Sequence, residues 1–195
     1  MLADLWLSCR NFGSPVMTRA ISHLLWTLAL LWVSGCQSVP MRPPVATVAQ
    51  VDLERFMGEW YVYAHIPTFL EKNSYAATES YRLSSDGTIA TTFAFREGGF
   101  DGKEKKYTPT GFVRDPVTKS TWGMRFLWPF KAEYLIAHVD QGYSQAIIAR
   151  NKRDFVWILT RSPTLSADEY RMLLERVSAL GYDMSKIRQV PQQPR

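Results

Sequence analysis

The chain has 195 residues, 46% of them hydrophobic and 13% aromatic, and a net charge of +5. That supports one sizeable core with appendages and calls for no second domain. The Lys and Arg residues are scattered rather than massed, which speaks against nucleic-acid binding and leaves a mildly basic surface that can lean on anionic lipid.

Taken in chain order, the first signal is LLWTLALLWV, residues 24–33, an uncharged apolar run with Arg19 before it and SGCQS after it. It is too short to cross a bilayer, which takes roughly 20 helical residues. Residues 1–35 therefore read as a secretory signal, for which Met17 is a more typical start than Met1. Val33, Ser34, Gly35 and Cys36 resemble the bacterial lipobox, in which the signal is cut before a diacylglyceryl-bearing cysteine. The resemblance implies a lipid anchor on Cys36. Because Gln37 rather than Asp follows, it also implies the outer membrane, with the periplasm-facing leaflet as the expected side. Cleavage removes Cys9, and Cys36 is taken by lipid. That excludes an internal disulfide framework, a cysteine-rich zinc site and a cysteine redox pair. The Pro-containing residues 36–50 read as a lipidated tether and residues 51–195 as the folded domain.

From there the pattern has period two. Short runs rich in Val, Ile, Thr and aromatics, separated by turn residues, predict strands near 60–65, 77–83, 88–95, 105–113, 121–126, 133–139, 144–149 and 155–160. SSDG, residues 84–87, predicts a tight hairpin turn. The segment SPTLSADEYRMLLERVSALGYD then predicts one amphipathic helix. Ser166 is its N-cap, Glu169 completes a capping box, Gly181 stops it, and Leu173, Leu174, Val177 and Leu180 share one face. A short final strand is expected near 187–190. Eight up-and-down strands favour an all-β, closed antiparallel barrel with this helix packed outside.

Three separated stretches then resemble the lipocalin family, in particular its bacterial branch that is also similar to apolipoprotein D. They are Gly58-Glu59-Trp60-Tyr61, Asp140-Gln141-Gly142-Tyr143, and Arg161 after the eighth strand. Val139 departs from the Thr usual in the second motif. The resemblance spans about residues 51–190. It implies that Trp60 closes one end of the barrel with Arg161 lying across its indole, and that Gly58, Trp60, Asp140, Tyr143 and Arg161 are structural.

Strand alternation with Arg161 inward sends Leu159, Trp157 and Phe155 inward, and on the first strand Trp60, Val62 and Ala64. An interior lined by Phe93, Phe95, Tyr107, Phe126, Tyr134 and Trp157 would be apolar with a few hydroxyls, as suits a long acyl chain. FLWPF, residues 126–130, falls at a connection near the expected open end, as a lip for membrane or acyl chains or as a plug. Lys103, Lys105 and Lys106 read as a solvated face. His138 and Asp140 share a strand face, so an acid/base pair can be drawn, but no HExxH, nucleophile elbow, P-loop or Rossmann fingerprint accompanies it.

The sequence thus points to a membrane-anchored, non-enzymatic binding protein for a fatty acid, lysophospholipid or similar lipid, used in storage or transport at the cell envelope. No cofactor, metal or nucleic acid is expected, and pairing of two barrels stays open. The alternatives are an envelope interaction module or a lipid-modifying isomerase-type enzyme on the same barrel.

Overall fold

The computed structural model describes residues 42–193. The expected signal segment and Cys36 lie outside the described residues. Ten strands form one antiparallel sheet: β1 Gly58–Ile66, β2 Ser74–Leu83, β3 Ile89–Glu97, β4 Glu104–Tyr107, β5 Thr110–Val113, β6 Thr121–Leu127, β7 Phe130–Val139, β8 Gln145–Ala149, β9 Val156–Thr160 and β10 Arg188–Gln189. The pairing order is β10-β1-β2-β3-β5-β6-β7-β8-β9 with β4 on β3, and β9 returns to β1, with Tyr61 opposite Thr160 and Val62 opposite Leu159. Closure leaves no long free edge, which is what an up-and-down chain of this pattern needs. β4 and β5 both pair with β3 and act as one strand, making an eight-strand barrel. The stretch expected as one strand over 105–113 is broken at Pro109, which has no N–H to give to a ladder. Its carbonyl still accepts from the Thr91 N–H at 3.2 Å.

Alternation gives the barrel two apolar faces. Trp60, Val62, Ile136, Ile148 and Leu159 pack inside it, whereas Tyr63, Leu135, Ile147, Val156 and Ile158 pack outside. The outer face is covered by α2, Ala167–Ala179, whose Leu173 and Val177 are buried there. Both halves of the capping box between Ser166 and Glu169 are formed. Gly181, at φ +86°, ends the helix as expected, with its N–H on the Ser178 carbonyl. Burying each of the two apolar side chains contributes about 1.5–3 kcal/mol, more than the intrinsic helix propensity of so short a segment supplies.

Two expectations need correction. Ala64 was expected to face inward with Trp60 and Val62, but the β1–β9 register shifts between Val62 and Ala64, and Ala64 packs outside beneath the helix. The bulge inserts one residue and reverses the parity, so His65 is the residue turned toward Glu71. In the stretch expected as tether, the chain is already held against the barrel from Val45. That residue is buried and its N–H donates to Asn151 Oδ1 at 2.7 Å, and the Val48 N–H reaches the Ile136 carbonyl at 3.0 Å.

The C-terminal segment closes a gap. β1 and β2 pair only from Gly58 opposite Tyr81 to Tyr61 opposite Thr78. Beyond that, β10 joins β1, the Ala76 N–H of β2 donates to the Pro191 carbonyl, and the Gln192 amide reaches the carbonyls of Val62 and Ala77.

Candidate functional site

One end of the barrel is shut by side chains. A single helical turn, α1 Leu53–Phe56, is capped by the Asp52 carboxylate, which accepts from the Arg55 N–H. It places Phe56 5.1 Å from Trp60 and 5.4 Å from Trp122, ring centre to ring centre. The Trp60 indole N–H donates to the Phe56 carbonyl, and Trp122 donates to the Lys119 carbonyl. Arg161 spreads over Trp60 and donates to the carbonyls of Arg55, Phe56, Met57, Glu59 and Tyr143. The Asp140 turn is built beside it. Burial alone would raise the Asp140 pKa, but hydrogen bonds from Gln145, Ser144 and Gly142 outweigh it and hold the carboxyl below its ordinary value. Tyr143 accepts at its hydroxyl from the Asp52 N–H at 2.8 Å and lies under the Arg55 guanidinium. Trp60, Arg161, Asp140 and Tyr143 are thus all tied into this end.

The opposite end opens into a cavity of about 520 Å³, within the range of small-ligand sites. Phe93, Tyr107, Phe126, Tyr134 and Trp157, all expected to face it, line it, together with Phe155 and Met124. Phe95 does not. It is buried and 5.2 Å from the Phe93 ring, but the cavity is bounded by Phe93 and Tyr107 rather than by it. Inward parity was right for Phe95; position along the strand kept it off the wall.

Polar groups that sequence reasoning missed stand inside this apolar wall. Glu79 accepts from the Tyr81 hydroxyl, and that oxygen is 2.6 Å from the Tyr134 hydroxyl. Burial first, and then the Glu71 charge, push the Glu79 carboxyl up to about 8, although the residue keeps partial exposure through the cavity. Tyr134 is raised well above its usual value by burial and by Glu79. Glu71, 2% exposed, folds in from the β1–β2 loop. It accepts from the Thr68 N–H at 3.0 Å and from the Trp157 indole N–H at 3.2 Å, with His65 Nδ1 at 3.5 Å. The available signal was parity: Glu79 and Tyr81 are two apart on a strand, so both point the same way as the buried Ala77. Glu71 carried no signal, since a loop has no period.

His138 does not reach the cavity. Its pKa is lowered by burial and by Arg176 of the helix, with Asp140 opposing, and it is absent from the lining. The cavity mouth is apolar and exposed: Phe69, Leu127, Trp128 and Phe130 are 77–82% exposed and Phe126 47%. The FLWPF segment thus stands out as a lip, and the plug reading falls. Lys105 of the expected solvated face is 3.3 Å from Glu97.

A family model described as a lipocalin-like domain matches residues 51–192. Outer membrane lipoprotein Blc of Escherichia coli K12 is 30% identical over 163 residues, 82% of this chain and 89% of that protein. Temperature-induced lipocalin-1 of Arabidopsis thaliana is 29% identical over 154 residues, 74% of this chain and 81% of that protein. Among solved structures, insecticyanin of the tobacco hornworm Manduca sexta superposes with a TM-score of 0.61 at 17% identity, over 77% of this chain and 86% of that one, a likeness of fold.

Proposed function

The chain belongs to the lipocalin-like domain family, and from that premise we propose that it is an envelope binding protein for a single-chain lipid, a fatty acid, lysophospholipid or similar amphiphile. The observation that carries this reading is the apolar cavity of about 520 Å³, open at one end and rimmed by exposed aromatics. Burial of an aliphatic chain against Phe93, Phe126, Phe155 and Trp157 supplies roughly 25 cal/mol per Å² of apolar surface removed from water. The role we infer is carriage, which the family membership and the apolar cavity support.

The same reading places the protein at the outer membrane through a lipid on Cys36. Relatives named as outer membrane lipoproteins support it, together with the lipobox-like residues 33–36. The lip would then face a bilayer from which a ligand can be drawn.

Native mass spectrometry of the protein purified from cells, without its leader, tests the carrier role. One releasable acyl-chain molecule per chain is the expected result. A bare mass, with no uptake of added fatty acid, fatty alcohol or lysophospholipid, overturns it. The N-terminal peptide tests the anchor, which an unmodified Cys36 would rule out.

A further inference from the structure

The protein is basic, yet its cavity is acidic. Glu71, Glu79 and Glu133 line it against one cation, Arg150. Arg150 sits 3.3 Å from Asp154, and Glu133 is taken by the Asn151 side-chain amide and N–H at 2.6 Å. Glu71 accepts from the Thr68 N–H and the Trp157 indole and Glu79 from the Tyr81 hydroxyl, but neither has a lining cation beside it, and behind Glu71 the 2% exposed His65 holds its Nδ1 3.5 Å away, without a hydrogen bond. The depth order is set by the strands. Glu79 pairs opposite Trp60, near the closed end, whereas Glu71 reaches in from the β1–β2 loop at the open end, where Leu127 and Phe130 pair across their turn. A carboxyl thus stands at the floor beneath a mouth rimmed by apolar side chains, the reverse of what a tail-first lipid with an anionic head would want.

We propose that the cavity selects its amphiphile by a cationic end: an alkyl chain terminating in a primary ammonium enters ammonium first, is held between Glu71 and Glu79, and lays its chain along Phe126 and the apolar mouth. This rests on the carrier reading above and names the ligand chemistry within it. A primary ammonium offers three N–H donors to the two carboxyls, and its charge relieves the repulsion that Glu71 imposes on Glu79. A metal cation suits the place less well, because no group of three or more His, Cys, Asp or Glu side chains among the described residues is arranged to hold one. A fatty-acid carboxylate meets the Glu71 charge on the same path, and Glu79, held up at about 8, keeps its proton at pH 7 unless a cation draws it off. Within the ligand classes of the carrier reading, this disfavours the ionised fatty acid and favours an ammonium-bearing lipid.

Calorimetric titration of the delipidated protein at pH 7 with dodecylamine, dodecanoate and dodecanol tests the inference. Dodecylamine is expected to bind about tenfold or more tighter than dodecanoate, the equivalent of about 1.4 kcal/mol. Glu79→Gln and Glu71→Gln, each isosteric, should bring the ratio of amine to alcohol affinity down toward one, and either variant suffices if the other fails to fold. Equal or tighter binding of dodecanoate, or an unchanged amine-to-alcohol ratio in both variants, overturns the inference. Dodecanol separates this from the parent reading: if it binds without an amine preference, only the selectivity falls, and if none of the three binds, the carrier role falls with it. A second arm compares lysophosphatidylethanolamine with lysophosphatidylglycerol of the same chain. Tighter binding of the ethanolamine head assigns a phospholipid source for the ammonium, and equal binding beside an intact amine preference assigns a free long-chain amine.

Discussion

The Arg161 guanidinium lies 3.8 Å from the centre of the Trp60 indole ring, 101 positions away in sequence but one layer away in space. The contact is worth roughly 0.5–2 kcal/mol as a cation–π pair, and the same group satisfies four carbonyls where α1 turns into β1 and a fifth, that of Tyr143, in the turn between β7 and β8. Lysine keeps the charge but has three donors and no plane to lay on the indole. Arg161→Lys should therefore cost about 1–3 kcal/mol in urea unfolding, while ligand affinity at the far end of the barrel stays as it was. Loss of binding without loss of stability would mean that the closed end belongs to the ligand site.

Gly58 is coupled to the same arginine. Its φ is +94°, and a Cβ there would stand 3.2 Å from Arg161 Nη1, whereas one at Gly87, φ +78°, would meet nothing within 4 Å. Gly58→Ala adds crowding to the 1–3 kcal/mol of backbone strain that both substitutions carry. Thermal unfolding should rank Gly58→Ala below Gly87→Ala, and equal midpoints would show that the arginine yields freely.

The barrel was readable because its signals are periodic and redundant. Eight strands, the Ser166 capping box and the stop at Gly181 each announce themselves locally. Trp60 and Arg161 were legible only through the family resemblance, since nothing in either residue says which partner it covers. The wall of the cavity followed from parity for Phe93, Tyr107, Phe126, Tyr134 and Trp157; a bulge reversed the parity at Ala64, and Phe95, two residues further along its strand than Phe93, lies off the wall. Glu71 was out of reach for a different reason. Its burial depends on how the 67–73 loop folds back over Trp157, which is a tertiary event without a local cause in the sequence.

Glu79 should impress a pH slope on stability. Its folded pKa, about 8, lies above the ordinary 4.5, so the folded state holds the proton more tightly than the unfolded chain does. Its contribution is fully present below about pH 4.5 and is lost progressively as the pH rises through 8. His138, whose pKa is lowered, acts in the opposite sense on the acid side, losing its contribution as the pH falls below its ordinary 6.5. Subtracting the profile of Glu79→Gln from that of the wild type removes the histidine. The difference in melting temperature should shift steadily against the wild type between pH 5 and 8 and then level off. A flat difference would place the Glu79 carboxyl in solvent-like surroundings.

The lip makes a separate claim about where the ligand is collected. Trp128 and Phe130 are 82% and 77% exposed beside Phe69 and Leu127, a cluster that water alone would not favour on a soluble face. Because these side chains pack little in the fold, Trp128→Ser with Phe130→Ser should leave unfolding midpoints nearly unchanged. Transfer of each ring into a bilayer interface is worth on the order of 1.5–3 kcal/mol at full burial, so even partial insertion makes the double variant lose about tenfold in vesicle partitioning. Arg125 and Lys131 flank the lip and stack on Phe112, at 4.8 and 3.7 Å, so anionic vesicles should bind better than neutral ones, and less so as salt is raised. Co-sedimentation of the unlipidated protein with phosphatidylglycerol vesicles measures both effects. If the double variant sediments like the wild type, the aromatics serve only to guard the cavity, and ligand reaches it from solution instead of from a membrane.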